Sequence, residues 1–247
     1  MKRSSDLALE NFGSAAAESA FRHEKIHRRG FAVLRVQNTD GAYRTILSGR
    51  IWQSSQQERR ELVLLASELL RELLPSAVSR VLIAGIGNPD IACDALGPRF
   101  CRRILVTGED SGIGVHTFVC TPSVPARTGF DTALLLRSLA DGLHPDAMIA
   151  CDSLAAASRE HLAAVIQIGT GGISPGSAMT HTTGEISSRT MPCPVVTIGV
   201  PAAVSTEVLT GEDESEPLLV TCADSDVITD CYASILAGAV NACLFGK

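Results

Sequence analysis

Two carboxylates are placed where chemistry could be done. Asp94 follows the glycine loop Gly85-Ile86-Gly87-Asn88-Pro89, and Asp152 ends the apolar run Met148-Ile149-Ala150-Cys151. In open α/β sheets, ligands collect beyond the carboxyl ends of the strands. If both runs are central strands, the two carboxylates converge there. Close carboxylates share one proton, because both cannot ionise cheaply at short range. One then acts as base on a water while the other donates a hydrogen bond to a scissile carbonyl. The same pair can instead hold a divalent metal that activates the water. Each Asp also precedes a helical-looking segment, so capping a helix is the simpler reading of either one.

The loop around Gly87 and Asn88 fits a tight turn that presents a neighbouring side chain. It lacks the third glycine of a dinucleotide fingerprint, because position 90 is Asp, and no Walker-type lysine follows. A second stretch of small residues runs over 169–177 and contains Gly171, Gly172 and Ser174. Such residues let backbone approach a substrate or another loop closely, or they form a flexible connection. His181 comes soon after, and a lone His is more often structural than catalytic. The six His show no H-E-x-x-H spacing, and no G-x-S-x-G elbow is present.

The elements that must position these groups are legible as periodicity. Residues 31–37 read as a strand, Thr39-Asp40-Gly41 as a turn, and 43–47 as the return strand of a hairpin. Residues 56–74 read as a helix, with Leu62, Leu65, Leu69 and Leu73 on one stripe and Pro75 beyond its end. The run 81–84 is a buried strand entering the glycine loop. Strands follow at 115–120, 147–151, 165–168 and 195–200, and helices at 132–143 and 224–244. Strands alternating with helices predict an α/β fold, a mainly parallel twisted sheet with helices on both faces. We expect a single domain over 1–247, with 1–30 as a polar, Ala-rich N-terminal arm.

Composition narrows the function classes. The formal charge is -6, and the Arg59-Arg60 and Arg102-Arg103 doublets form no basic patch, which argues against direct nucleic-acid binding. No run approaches 18 uninterrupted apolar residues and no signal peptide opens the chain, so no membrane span is expected. Eight Cys without a C-x-x-C point to a reducing cytosol and mostly buried thiols.

Taken together, these motifs resemble the spore germination protease family. The resemblance is carried by Gly85-Ile-Gly-Asn88 with Asp94-Ala-Leu-Gly-Pro98, by Thr121-Pro122 with Thr128-Gly129, and by Cys151-Asp152-Ser-Leu-Ala-Ala156. Gly172-Ile173 with Pro175-Gly-Ser177 and Pro194-Val195 through Pro201 extend it. It implies an endopeptidase that degrades small acid-soluble spore proteins at germination, located in the cytoplasm of the forespore or spore core. It also implies Asp94 and Asp152 as the catalytic pair, a zymogen, and a homo-oligomer, namely a tetramer. The family's preference for a bond before an acidic residue, with an apolar residue and Ala next, is matched by Ser5-Asp6-Leu7-Ala8, so self-cleavage at Ser5–Asp6 is expected. No cofactor is implied. The glycine loop and paired acids are also similar to hydrogenase maturation endopeptidases, which share this phosphorylase/hydrolase-like fold and bind nickel; a divalent metal at Asp94 and Asp152 is the corresponding alternative. Ala157, Ser174 and His181-Thr182-Thr183 depart from the family pattern, and a non-catalytic sporulation protein on the same fold is a third reading.

Overall fold

A computed structural model of the chain describes residues 5–10, 22–109, 112, 114–176, 184–211 and 218–246. The chain begins with a short helical turn at Ala8–Glu10, then three strands, β1 (Arg22–Arg28), β2 (Phe31–Gln37) and β3 (Ala42–Leu47). Next come α1 (Gln56–Leu73), β4 (Arg80–Gly85), α2 (Leu96–Cys101) and β5 (His116–Cys120). The short α3 (Pro125–Thr128) and α4 (Thr132–Leu143) lead into β6 (Ala147–Ala156), β7 (Val165–Gly169) and β8 (Val195–Ser205). The last elements are α5 (Thr206–Thr210), β9 (Leu219–Val220) and α6 (Ser225–Phe245).

One sheet unites the described strands, in the order β1-β2-β3-β7-β8-β6-β4-β5, with β9 added on β8. The α/β class with helices on both faces holds. The parallel part is β5-β4-β6-β8, the half that holds both aspartates. Beyond β8, the pairings through β7, β3, β2 and β1 are antiparallel. Helices α1, α2 and α6 cover one face through Leu62, Leu65, Phe100, Tyr232 and Leu236 packed on Ile83, Ile149 and Ile198. Helix α4 covers the other through Leu136 and Ala140 on Leu82, Ala84, Met148 and Ala150. Alternate residues of β4 and β6 thus serve opposite cores, which is why both strands read as continuous apolar runs.

Local signals set the helix ends. Ser55 and Glu58 form a reciprocal capping box at the start of α1. Asp131 caps α4 by accepting from Leu134 N at 2.8 Å, and also accepts from Gly184 N at 3.0 Å. Tyr232 anchors α6 in the core: its hydroxyl meets Ser48 Oγ and the Ala163 carbonyl, each at 2.7 Å. Helix α6 is long and apolar enough to cross a membrane, yet it lies against α1 and α2 as a core helix.

Four expectations need correction. The sheet is mixed, not mainly parallel: among the described strands five pairings are antiparallel and three parallel, because the hairpin β2-β3 and strand β1 join the parallel half through the antiparallel β7. Residues 22–28, read as part of a polar arm, form the edge strand β1. Its charged sequence is compatible with an edge strand, which is protected from further pairing by such residues. Arg28 and Arg29 reach Glu61, Glu68 and Glu72 of α1. The strand carrying Asp152 does not stop there but runs on to Ala156, paired with β8 throughout. The thiols are also less buried than expected: Cys101, Cys151 and Cys193 are buried, and the other five are half-exposed.

Candidate functional site

The parallel register explains why Asp94 and Asp152 meet. Strand β4 ends at Gly85, which pairs with Cys151, so the chain leaves the sheet beside the residue preceding Asp152. Ile86 N then donates to the Cys151 carbonyl at 2.8 Å, tying the glycine loop to β6. The loop returns through a helical turn at Ala92–Asp94, and Asn88 N donates to Asp94 Oδ2 at 2.7 Å. Gly87 has φ +121°, and a Cβ there would lie 1.9 Å from the Asp94 carbonyl oxygen. Only glycine allows the loop to close against Asp94 in this way. Gly97 seats the first turn of α2 in the same manner, since its Cβ would lie 2.2 Å from the Ile86 carbonyl oxygen.

Neither carboxylate caps a helix. Asp94 stabilises the loop that precedes it, and α2 has no side-chain cap. Asp152 lies within a strand, 7% exposed, and accepts a hydrogen bond from Ser153 N at 2.8 Å. Burial pushes its carboxyl well above the usual carboxylate range; the nearby Asp94 charge pushes it further, and Asp6 adds to this. Burial also raises Asp94, against which the Asn88 N–H favours the charged form. The pair is therefore a coupled, proton-retaining site with one member better supported as an anion.

The row through Asp152 runs across the sheet. Asp152 pairs with Gly199, Gly199 with Gln167, and Gln167 with Thr45. A Cβ at Gly199 would lie 2.6 Å from the Asp152 carbonyl oxygen and 2.8 Å from Leu154 Cγ, so glycine there lets the Leu154 side chain lie over the sheet beside Asp152. Thr45 is buried with no partner for its hydroxyl among the described residues.

The structure brings Gly87, Asn88, Asp94 and Asp152 together, and it adds Asp6. The Asp6 carboxylate accepts from Ala155 N at 2.8 Å, three residues along β6 from Asp152, and Ser5 Oγ accepts from Leu7 N at 3.0 Å. It does not bring Gly171, Gly172 and Ser174 to the pair. They follow the end of the antiparallel β7, where Gly169 pairs with Thr197 on the amino side of the Asp152 row. There Gly171 packs on Tyr43 and Gly172 on Ile186 and Ser187. His181 and Ser177 lie outside the described residues.

The motif reading named Asp6 only as a self-cleavage position and gave neither Gln167 nor Gly199 a role beside Asp152. A faint signal existed for Gln167, the polar residue in the otherwise apolar strand 165–168. Burial raises the Cys101 thiol to about 12 and the Cys193 thiol to about 11, so these cysteines stay protonated and offer no thiolate nucleophile. Among the described residues, no three His, Cys, Asp or Glu side chains gather to form a metal-binding cluster.

Comparison with known proteins points the same way as the motifs. Residues 15–214 match the family model described as germination protease, peptidase family A25. The chain is 38% identical over 136 residues to the germination protease of Caldanaerobacter subterraneus subsp. tengcongensis, covering 51% of this chain and 41% of that protein. It is 30% identical over 183 residues to that of Clostridium acetobutylicum, covering 69% and 56%, and 31% identical over 184 residues to that of Oceanobacillus iheyensis, covering 70% and 50%. The match thus spans about half the length of these curated relatives. Among solved structures, the [NiFe] hydrogenase maturation protease HycI from Thermococcus kodakarensis is similar at 19% identity and a TM-score of 0.43, over 71% of this chain and 98% of that one. With the family model matching 200 consecutive residues of 247, the chain belongs to the germination protease family.

Proposed function

We propose that this chain is an endopeptidase that hydrolyses small acid-soluble spore proteins at germination, in the cytoplasm of the spore, with water activated by Asp94 and Asp152. The observation that carries the reading is the placement of Asp94, half-buried on the turn that follows β4, beside the buried Asp152 of the adjacent parallel strand β6, just past the level where β4 ends, in a chain of this family. The environments of the two support distinct roles. Asp152 is the more buried and, among the described residues, accepts a hydrogen bond from Ser153 N alone, so it keeps the shared proton and donates to the scissile carbonyl. Asp94, half-buried and held by the Asn88 N–H, is the anion that takes a proton from the attacking water. Zymogen processing at Ser5–Asp6 and tetramer formation belong to the same reading.

Incubation of the purified chain with a small acid-soluble spore protein tests it, with fragments followed by mass spectrometry. Cleavage before acidic residues is expected, and intact substrate under all conditions would reject the reading. Chelator-sensitive cleavage with stoichiometric nickel in the purified protein would favour the metal-dependent alternative instead.

A further inference from the structure

The N-terminal segment Ser5–Glu10 is seated beside Asp152 much as a peptide ligand would be. Leu7 is fully buried in a pocket of Leu154, Ala156, Val165 and Val204. The main chain on either side of it is read by one side chain: Gln167 Nε2 donates to the Asp6 carbonyl at 2.9 Å, and Gln167 Oε1 accepts from Ala8 N at 2.7 Å. Asp6 N donates to the Ala155 carbonyl at 3.1 Å, past the end of β4, where β6 has no strand neighbour on that side. Glu10 closes the segment, accepting from Ala157 N and pairing with His161 Nδ1, each at 2.6 Å.

These contacts are largely independent of which chain supplies the segment. A carboxamide that satisfies the C=O before one residue and the N–H after it recognises backbone, here where the chain bends into the helical turn Ala8–Glu10, and the pocket selects one apolar side chain. Gln167 is itself only 6% exposed, and both of its polar atoms are satisfied by this segment. With the segment gone, its carboxamide would exchange both partners for water beside an uncovered apolar pocket, and another peptide could take the place of both. The row Asp152–Gly199–Gln167 then sets the distance: two strand spacings, about 10 Å, with the Leu154 side chain of the pocket lying over Gly199 between them.

We propose that Gln167 and the Leu7 pocket form a substrate-binding subsite of the peptidase, one that takes a segment bending into a short helical turn, with a leucine-sized side chain next to an acidic residue. Residues Ser5–Glu10 occupy it in cis. The proposal rests on the peptidase reading for its consequence, but its binding can be measured without turnover.

The test uses the full chain with Leu7→Asp and Glu10→Gln to release the segment, and a fluorescein-labelled Ser-Asp-Leu-Ala-Leu-Glu peptide as probe. Anisotropy should show saturable binding to the opened chain and at least about ten-fold weaker binding to the unaltered chain. Adding Gln167→Leu to the opened chain should weaken binding by about ten-fold or more, the scale of two lost hydrogen bonds. Excess unlabelled spore protein should displace the probe, even from a chain carrying Asp152→Asn. Binding without displacement would mean that the pocket seats only the chain's own arm, and binding indifferent to Gln167→Leu would remove that residue's role; either overturns the proposal. Should the opened chain fail to fold, Gln167→Leu alone should speed hydrogen exchange at the Ala8 amide by about ten-fold while the β6 amides stay protected, and unchanged exchange would overturn it. Cleavage failing while the probe binds and is displaced would reject the peptidase reading and leave the subsite standing.

Discussion

Replacing Asp152 by Asn should stabilise the protein at neutral pH, by an amount that grows with pH. Asp152 is 7% exposed, faces the like charge of Asp94, and has no cation paired with it among the described residues. Its proton is therefore held to higher pH in the folded chain than in the unfolded one, which releases it near pH ~4. Below that pH both states are protonated and Asp152 costs nothing. Between the unfolded and the raised folded value, unfolding releases a proton, so rising pH favours the unfolded chain. Asn carries no such proton, so this pH-dependent cost is absent from the variant. The slope of the difference is at most about 1.4 kcal/mol per pH unit for one proton. For a domain of this size, 1 kcal/mol moves Tm by about 2–4 °C, so the Asp152→Asn variant should gain up to about 3–5 °C on wild type per pH unit inside the window. Thermal unfolding followed by circular dichroism from pH 4 to pH 8 reads this directly. A Tm difference flat with pH, or a wild type more stable than the variant at pH 7.5, would refute the assignment of a buried, proton-retaining carboxyl.

Two other predictions concern the frame around the pair. Gly87→Ala should cost about 1–3 kcal/mol from backbone strain alone, because φ is +121° there, and moving Asp94 away from the new Cβ should lower cleavage about 100-fold. Thermal unfolding and a cleavage rate measured side by side check both parts. Tyr232→Phe removes a buried hydroxyl bonded to Ser48 and Ala163, and should cost about 1–3 kcal/mol in urea unfolding while leaving the cleavage rate near wild type.

Much of this architecture was legible in the sequence because burial writes simple patterns. The Leu stripe of α1 and the apolar runs of β4 and β6 each name a face or a core. Strand β1 was not legible: Arg22–Arg28 carries one apolar residue, Ile26, and its pairing with β2 is supported by ion pairs from Arg28 and Arg29 to α1, more than 30 residues away. The continuation of β6 past Asp152 was hidden for a related reason. Ser153 and the alanines after it suit a loop or a helix start as well as a strand, and only pairing with Val200–Val204 decides. The glycine loop and its two aspartates carried a local signal, since Gly87 must be glycine where Asp94 packs on it. The approach of Asp6 and Gln167 carried none, because it depends on contacts about 150 residues apart. The small-residue loop at 171–174 misled for a topological reason: β7 runs antiparallel, so the residues after it leave from the other end of the sheet.

In the proposed reaction Asp94 and Asp152 act as one catalytic unit. Values of kcat/KM for a spore-protein peptide, measured with Asp94→Asn, Asp152→Asn and the double variant, test it most directly. A loss of about 10³-fold or more is expected for each single change, with little further loss in the double, because groups that act together are not additive. A single variant that cleaves at the wild-type rate, or losses that multiply in the double variant, would contradict it.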